Sequence, residues 1–356
     1  MPLDSSAWLK QHPPKALATL TQPEPFWCLR AHPSEQWLLA GGGIGQLHRI
    51  QADGDSWKVA SSVSVHSGWV PAIAFHPNGE LVVTADTWGK LRCSRVADLA
   101  GKPSWEHPHA HAGWIRQLAI SPNGTILASL GQDQMIHLWD IPTGKPTHSF
   151  RFTETDGFSL AFHPKQGSLI TGDLHGFVCE WDPKTGKAIR RMQLPDFYKL
   201  DRIQDVGGIR CLRFAPDGNT ILAAGCKPTT GGFVQGSSLL VWLDSQRWQV
   251  LTTIDSANPN DGFITDLAWH DAGFWLSCSS GQPGQGKLAL YPERGGPSFW
   301  NAPAPNSHGL VWLARSQRVV VSQTNTGSNG NGRPKTANQE YPSNFSPLGQ
   351  WRFGSA

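Results

Sequence analysis

Apolar residues along this chain come in short bursts, each stopped by a turn signal, and the bursts repeat. The runs LRAHP (29–33), IAFHP (73–77), LAISP (118–122), LAFHP (160–164) and LRFAP (212–216) share an apolar-X-Pro ending, followed by a degraded LAWHD (267–271). A weaker seventh copy, VWLARSQRVVVSQ from Val311, aligns Arg315 with Asp271. The markers at 33, 77, 122, 164, 216 and 271 lie 44, 45, 42, 52 and 55 residues apart. After the marker, Pro-Asn-Gly or Pro-Asp-Gly reverses the chain, glycine supplying the positive φ of a tight turn. A second apolar run follows (LVVTA, ILASL, SLITG, ILAAG), then a polar turn and a third (KLRCS, MIHLW, FVCEW, SLLVW, KLALY). A more irregular fourth run closes the unit (THSFRF, AIRRMQL, WQVLTTI).

Runs this short, bounded by Gly, Asn and Pro, read as strands, so each unit predicts a four-stranded antiparallel sheet. A sheet that is apolar on both faces needs a neighbour on each side, and a ring of seven such units provides it. The expected fold is therefore all-β, a seven-bladed β-propeller filling residues 1–356 as one domain. Its blades are expected near 26–63, 66–110, 111–152, 153–194, 207–254, 261–303 and 306–356. The last copy is short of a strand while KALATLT (15–21) is otherwise unemployed. This N-terminal strand is expected to complete blade 7 and remove the open edges.

The stretches MIHLWDIPTGKPTHSF and FVCEWDPKTGKAIRRM resemble the WD-repeat family, the propellers similar to the G-protein β-subunit, and the resemblance covers nearly the whole chain. Trp139-Asp140 and Trp181-Asp182 stand as the signature dipeptides, with Trp242-Leu243 a near miss. The resemblance implies a hydrogen-bonded tetrad inside a blade, built from a His, a strand Ser or Thr, a turn Asp and the strand Trp. Blade 3 matches it with His111, Ser129, Asp133 and Trp139. Blade 2 offers His66 and Thr84 but Trp88 and Ser94 where Asp and Trp belong, and blade 4 puts His175 in the Asp position. Apolar substitution or water is expected to compensate there.

Composition fits this picture: 16% charged residues, with Gly 38, Pro 27 and Trp 17 all plentiful, suits strands and tight turns better than solvated helices. A net charge of +3 gives no reason to expect nucleic acid or an anionic membrane as partner. The six cysteines have no C-x-x-C spacing and sit in apolar runs, which favours buried thiols in a reducing compartment. The start MPLDSSAWLKQHPP lacks the features of a secretory signal, and no apolar stretch approaches membrane-spanning length. A soluble cytoplasmic protein is expected.

The resemblance also implies that the segments entering each first strand share one face with the turns between second and third strands, the usual partner-binding face. Insertions gather there at 195–208, 225–237, 279–286 and 324–343. After each H-x-G or D-G step comes a bulky residue, Trp69, Trp114, Phe158 and Phe263, with Ile209 in blade 5. With Arg116 and Arg210 beside them, the residues Trp69, Trp114, Arg116, Phe158, Arg210 and Phe263 form the expected partner-binding top rim. Alternatively the rings merely cover the blade tops. Arg30 and Arg213 take the place held by Ala74, Ala119, Ala161 and Ala268 in other blades, reaching either into the axial channel or out to solvent.

HPHAH sets His107, His109 and His111 at alternate positions, but no carboxylate or Cys completes a ligand set and no metal is expected. The basic run from Lys184 to Arg213 is diluted by aspartates and reads as a solvated face or as a docking patch for an acidic partner. No nucleophile elbow, P-loop, H-E-x-x-H or dinucleotide fingerprint occurs, so no catalytic residue or cofactor is assigned. Two functions follow from different classes: a non-enzymatic platform recruiting a protein or peptide, alone or within an assembly, or a propeller enzyme or small-ligand sensor at the channel mouth.

Overall fold

A computed structural model describes residues 5–53, 56–230, 235–282, 284–325 and 345–354. Among the described residues, seven antiparallel blade sheets follow one another along the chain, six of them four-stranded, with a separate two-stranded hairpin between the fourth and fifth. The first strands are Phe26–Ala31, Ala72–Phe75, Ile115–Ile120, Gly157–Phe162, Ile209–Phe214, Phe263–His270 and Ser307–Leu313. Each contacts the first strands of the blades before and after it, and the cycle closes from the seventh back to the first. The molecule is a seven-bladed propeller whose first strands surround the axis.

Alternation explains the ring. Each sheet carries apolar residues on both faces, and the core divides into seven clusters, one in each seam between adjacent blades. Between blades 3 and 4, for example, Leu130, Ile136 and Leu138 meet Leu160, Leu169 and Trp181. No seam can be left open without exposing one of these clusters.

The recurring His-Pro of the repeat has its own task. The Nε2–H of His32 donates to the carbonyl of Gly79 in the next blade, at 3.0 Å, while Nδ1 accepts the amide of Ser34 at 3.1 Å. His76 repeats this with Gly124 at 3.0 Å and Asn78 at 3.2 Å. Gly79 and Gly124 hold φ of +76° and +75°, and an added Cβ would lie 2.7 and 2.2 Å from the imidazole. The turn glycine is thus required twice, for its conformation and for its neighbour's ring.

Closure falls to the N-terminus. Blade 7 takes its first three strands from Ser307–Leu313, Arg318–Gln323 and Ser346–Arg352. The outer position is filled by Lys15–Ala16 and Leu20–Gln22, both antiparallel to Ser346–Arg352, with Lys15 opposite Arg352 and Leu20 opposite Leu348. The expected single strand is split, with Leu17 still donating to the carbonyl of Gln350. Ahead of it, the unanticipated helix Ser5–Gln11 buries Trp8 against Phe274 of blade 6 and Phe353. Among the described residues, no helix is long and apolar enough to cross a membrane. All six cysteines are free and buried.

The linker at 195–208 is not an open loop. It folds as a single turn, Pro195–Phe197, and a hairpin, Tyr198–Asp201 with Gln204–Gly207, tied to blade 5 by Lys199 Nζ on the Thr229 carbonyl at 2.7 Å. Of the other expected insertions, 231–234, Pro283 and 326–344 lie outside the described residues.

Candidate interaction site at the channel mouth

Six of the seven first strands break register near their start, at Trp27, Arg116, Phe158, Arg210, Thr265 and His308. A bulge gives the strand one residue too many for its partner and re-aims that side chain. All six of these residues line one cavity of ≈ 370 Å³ at the axis, together with Pro71 of blade 2. The propeller thus sends one residue per blade to the mouth of its channel.

These side chains form a nearly continuous chain of ring contacts. His308 meets Trp27 edge-on at 4.7 Å, Trp27 stacks on Trp69 at 4.6 Å, and Trp69 reaches Trp114 at 5.9 Å. Arg116 lies over Trp114 and Phe158 at 5.6 and 4.9 Å, and Arg210 over Phe158 and Phe263 at 3.6 and 4.5 Å. All seven blades except blade 2 contribute to the cavity with a ring, a guanidinium or both, and blade 2 adds Trp69 at its edge. Trp69 is 43% exposed and Trp88 68%, and with Ile44 they continue the apolar surface outward over blades 1 and 2.

The six rim residues are therefore brought together, but not at one equivalent position. Phe158, Arg116 and Arg210 are bulge residues, whereas Trp114 and Phe263 sit two places before the bulges of their blades and Trp69 precedes the first strand of blade 2. Ile209 does not join the rim at all: it is fully buried in the seam between blades 4 and 5. Trp27, Trp88 and His308 were missed. Aligning the bulge rather than the glycine step would have found Trp27 and His308.

Below the mouth, Arg30 and Arg213 settle their alternatives by pointing to the channel. Arg30 Nη1 lies 2.9 Å from Asp266 Oδ2 and Arg213 Nη2 3.2 Å from Asp266 Oδ1. The amides of Leu267 and Leu310 also donate to this carboxylate, at 2.9 and 3.2 Å. Burial works to lower the Arg30 pKa, but the charge and hydrogen bond of Asp266, with the neighbouring Cys28 and Cys211, together raise it. The anion of the throat is the protein's own.

The basic run disperses. Arg190 pairs with Glu180, Arg191 covers Phe177, and Arg213 and Arg210 turn to the axis. The HPHAH histidines disperse too, His107 reaching the Gly144 carbonyl and His111 reaching Asp133. His111, Asp133 and His137 do place their ligand atoms within 4.8 Å of one another, but hydrogen bonds engage all three.

In blade 3, His111 Nδ1–H donates to Asp133 Oδ1 at 3.0 Å. Ser129 Oγ–H donates to His111 Nε2 at 2.7 Å and accepts Trp139 Nε1–H at 3.0 Å. Burial opposes ionisation of Asp133, yet His111 and the amides of Ala112 and Met135 hold its pKa at about 2. Blade 2 has not lost its acid: Asp86, two residues before Trp88, pairs with His66 at 3.2 Å, and Thr84 with the same ring at 2.8 Å. In blade 4 Asp173 likewise replaces His175, bonded to Thr153 at 3.0 Å, while Trp181 donates to Thr171 at 3.0 Å. The shared signal was T-x-D, Thr84-Ala85-Asp86 and Thr171-Gly172-Asp173.

Seven blades, an N-terminal latch and a His–Ser–Asp–Trp tetrad are the architecture of WD-repeat propellers, and a WD40 family model over part of the chain supports that family. Residues 73–170 match the family model described as the anaphase-promoting complex subunit 4 WD40 domain, a likeness confined to blades 2 and 3 and the start of blade 4. No curated protein sequence matches the chain.

Proposed function

We propose that the chain is a non-catalytic interaction platform that captures a protein or peptide on its top rim, through Trp69, Trp114, Arg116, Phe158, Arg210 and Phe263. The observation carrying this reading is the ring of stacked aromatic and guanidinium groups around an open cavity, the residue types that dominate binding hot spots. Among the described residues, the carboxylate lining the cavity, Asp266, is held by two arginines and two amides and is not free for acid–base work. Its thiols, Cys28 and Cys211, are pushed up to about 12 by burial and are poor nucleophiles. These points favour a platform over an enzyme or metabolite sensor.

Six free thiols suit a reducing cytoplasm. The matched family model describes a domain of a complex subunit, which supports membership of a larger assembly. Affinity purification from native cells, comparing the wild type with Trp69→Ala and Trp114→Ala, tests the rim. The expected result is loss of specific partners in both variants. Unchanged recovery of every partner would refute the assignment.

A further inference from the structure

Four residues lining the mouth carry a buried donor with no acceptor among the described residues: the indole N–H groups of Trp27 and Trp114, and the Nε–H groups of Arg116 and Arg210. Every unpartnered buried side-chain atom lining this cavity is a donor. The arginines differ in a second respect. Arg30 and Arg213 share Asp266, and Arg116 has Asp156 at 3.3 Å, but Arg210 has no ion pair among the described residues. It lies against two phenyl rings, and burial together with repulsion from Arg116 pushes its pKa down to about 10. A desolvated guanidinium without a counter-charge is costly, and the Arg210 side chain, alone of the four arginines lining the cavity, has none among the described residues.

We infer that the mouth binds an acidic peptide segment, one Asp or Glu carboxylate pairing with Arg210. This rests on the platform reading and specifies its ligand. A peptide fits better than a free acid because the cavity borders the exposed apolar ground of Ile44, Trp69 and Trp88, which an extended chain would cover and a metabolite would not. A carboxylate fits better than a phosphate because a single guanidinium is unclaimed and matches a single charge.

Peptides selected from a random-sequence display library on the full chain, then synthesised and titrated by fluorescence anisotropy, test the inference. Selected sequences should be enriched in Asp or Glu. Neutralising that acid (Glu→Gln or Asp→Asn) and Arg210→Met should each weaken binding roughly tenfold or more, and the two losses should not add. Arg210→Lys, which keeps the charge and loses the planar fork, should fall between, guarding against a folding artefact. Peptides lost on Trp69→Ala yet indifferent to Arg210→Met and to neutralisation would overturn the acidic ligand and leave the platform standing. Peptides indifferent to Trp69, Trp114 and Arg210 alike would overturn both. Phosphoserine in place of the acid, if it bound roughly tenfold tighter, would overturn the carboxylate.

Discussion

Throat and mouth of this channel hold the same side chain in opposite circumstances. In the throat, Arg30 and Arg213 meet one buried carboxylate whose remaining lone pairs take two backbone amides. At the mouth, Arg210 has two aromatic faces and no carboxylate, and its Nε–H points at nothing. A charge satisfied within the chain is explained by the fold, binding blades 1 and 5 to blade 6 across the axis. On the proposed reading, one that is desolvated and unsatisfied is kept for something outside the chain. The contrast would then separate residues that hold the ring from residues that use it.

The largest effect should come from breaking the satisfied side. Asp266→Asn leaves two guanidinium groups without their counter-charge, and about 3 kcal/mol or more should be lost in urea unfolding. Ser129→Ala belongs to the same class, since it strips a partner from both His111 and Trp139, and all three of these side chains are buried. Its loss should be about 2 kcal/mol by the same measurement.

Acid should act next. Burial pushes His308 at the mouth and, beside the His111 ring, His137 in blade 3 down to about 4, from an ordinary 6.5. Between those values the unfolded chain binds protons that the folded chain refuses. Their contribution is complete above pH 6.5 and should be lost as pH falls toward about 4, a decline that His308→Phe would make shallower in thermal scans. Asp133, held at about 2, contributes a further loss below about 3.8. The smallest stability effect should belong to the exposed rim: Trp69→Ala should alter unfolding by less than about 1 kcal/mol while abolishing capture of the partner.

The ring was legible in the sequence because its cause is local. Apolar runs at blade spacing, glycine turns and the unemployed KALATLT all follow from what each strand must bury and pair. The rim was half legible: its aromatic and arginine residues stood out, but a one-residue bulge is invisible to a period-2 pattern, so Ile209 was placed with Phe158 although one faces the core and the other the mouth. The throat was least legible. Arg30 and Asp266 lie in blades 1 and 6, and nothing near either residue announces the other until the ring closes. The displaced acids, Asp86 and Asp173, were hidden differently, by expecting the acid of the turn at one fixed distance from the strand hydroxyl.

The most direct test is the urea midpoint of Arg210→Met measured against the wild type. If the mouth guanidinium is kept for a ligand, removing a desolvated and unpaired charge should leave the midpoint unchanged or raise it. A fall equivalent to more than about 1 kcal/mol would show that Arg210 is part of the packing that holds blades 4, 5 and 6 together, and would contradict the division between throat and mouth.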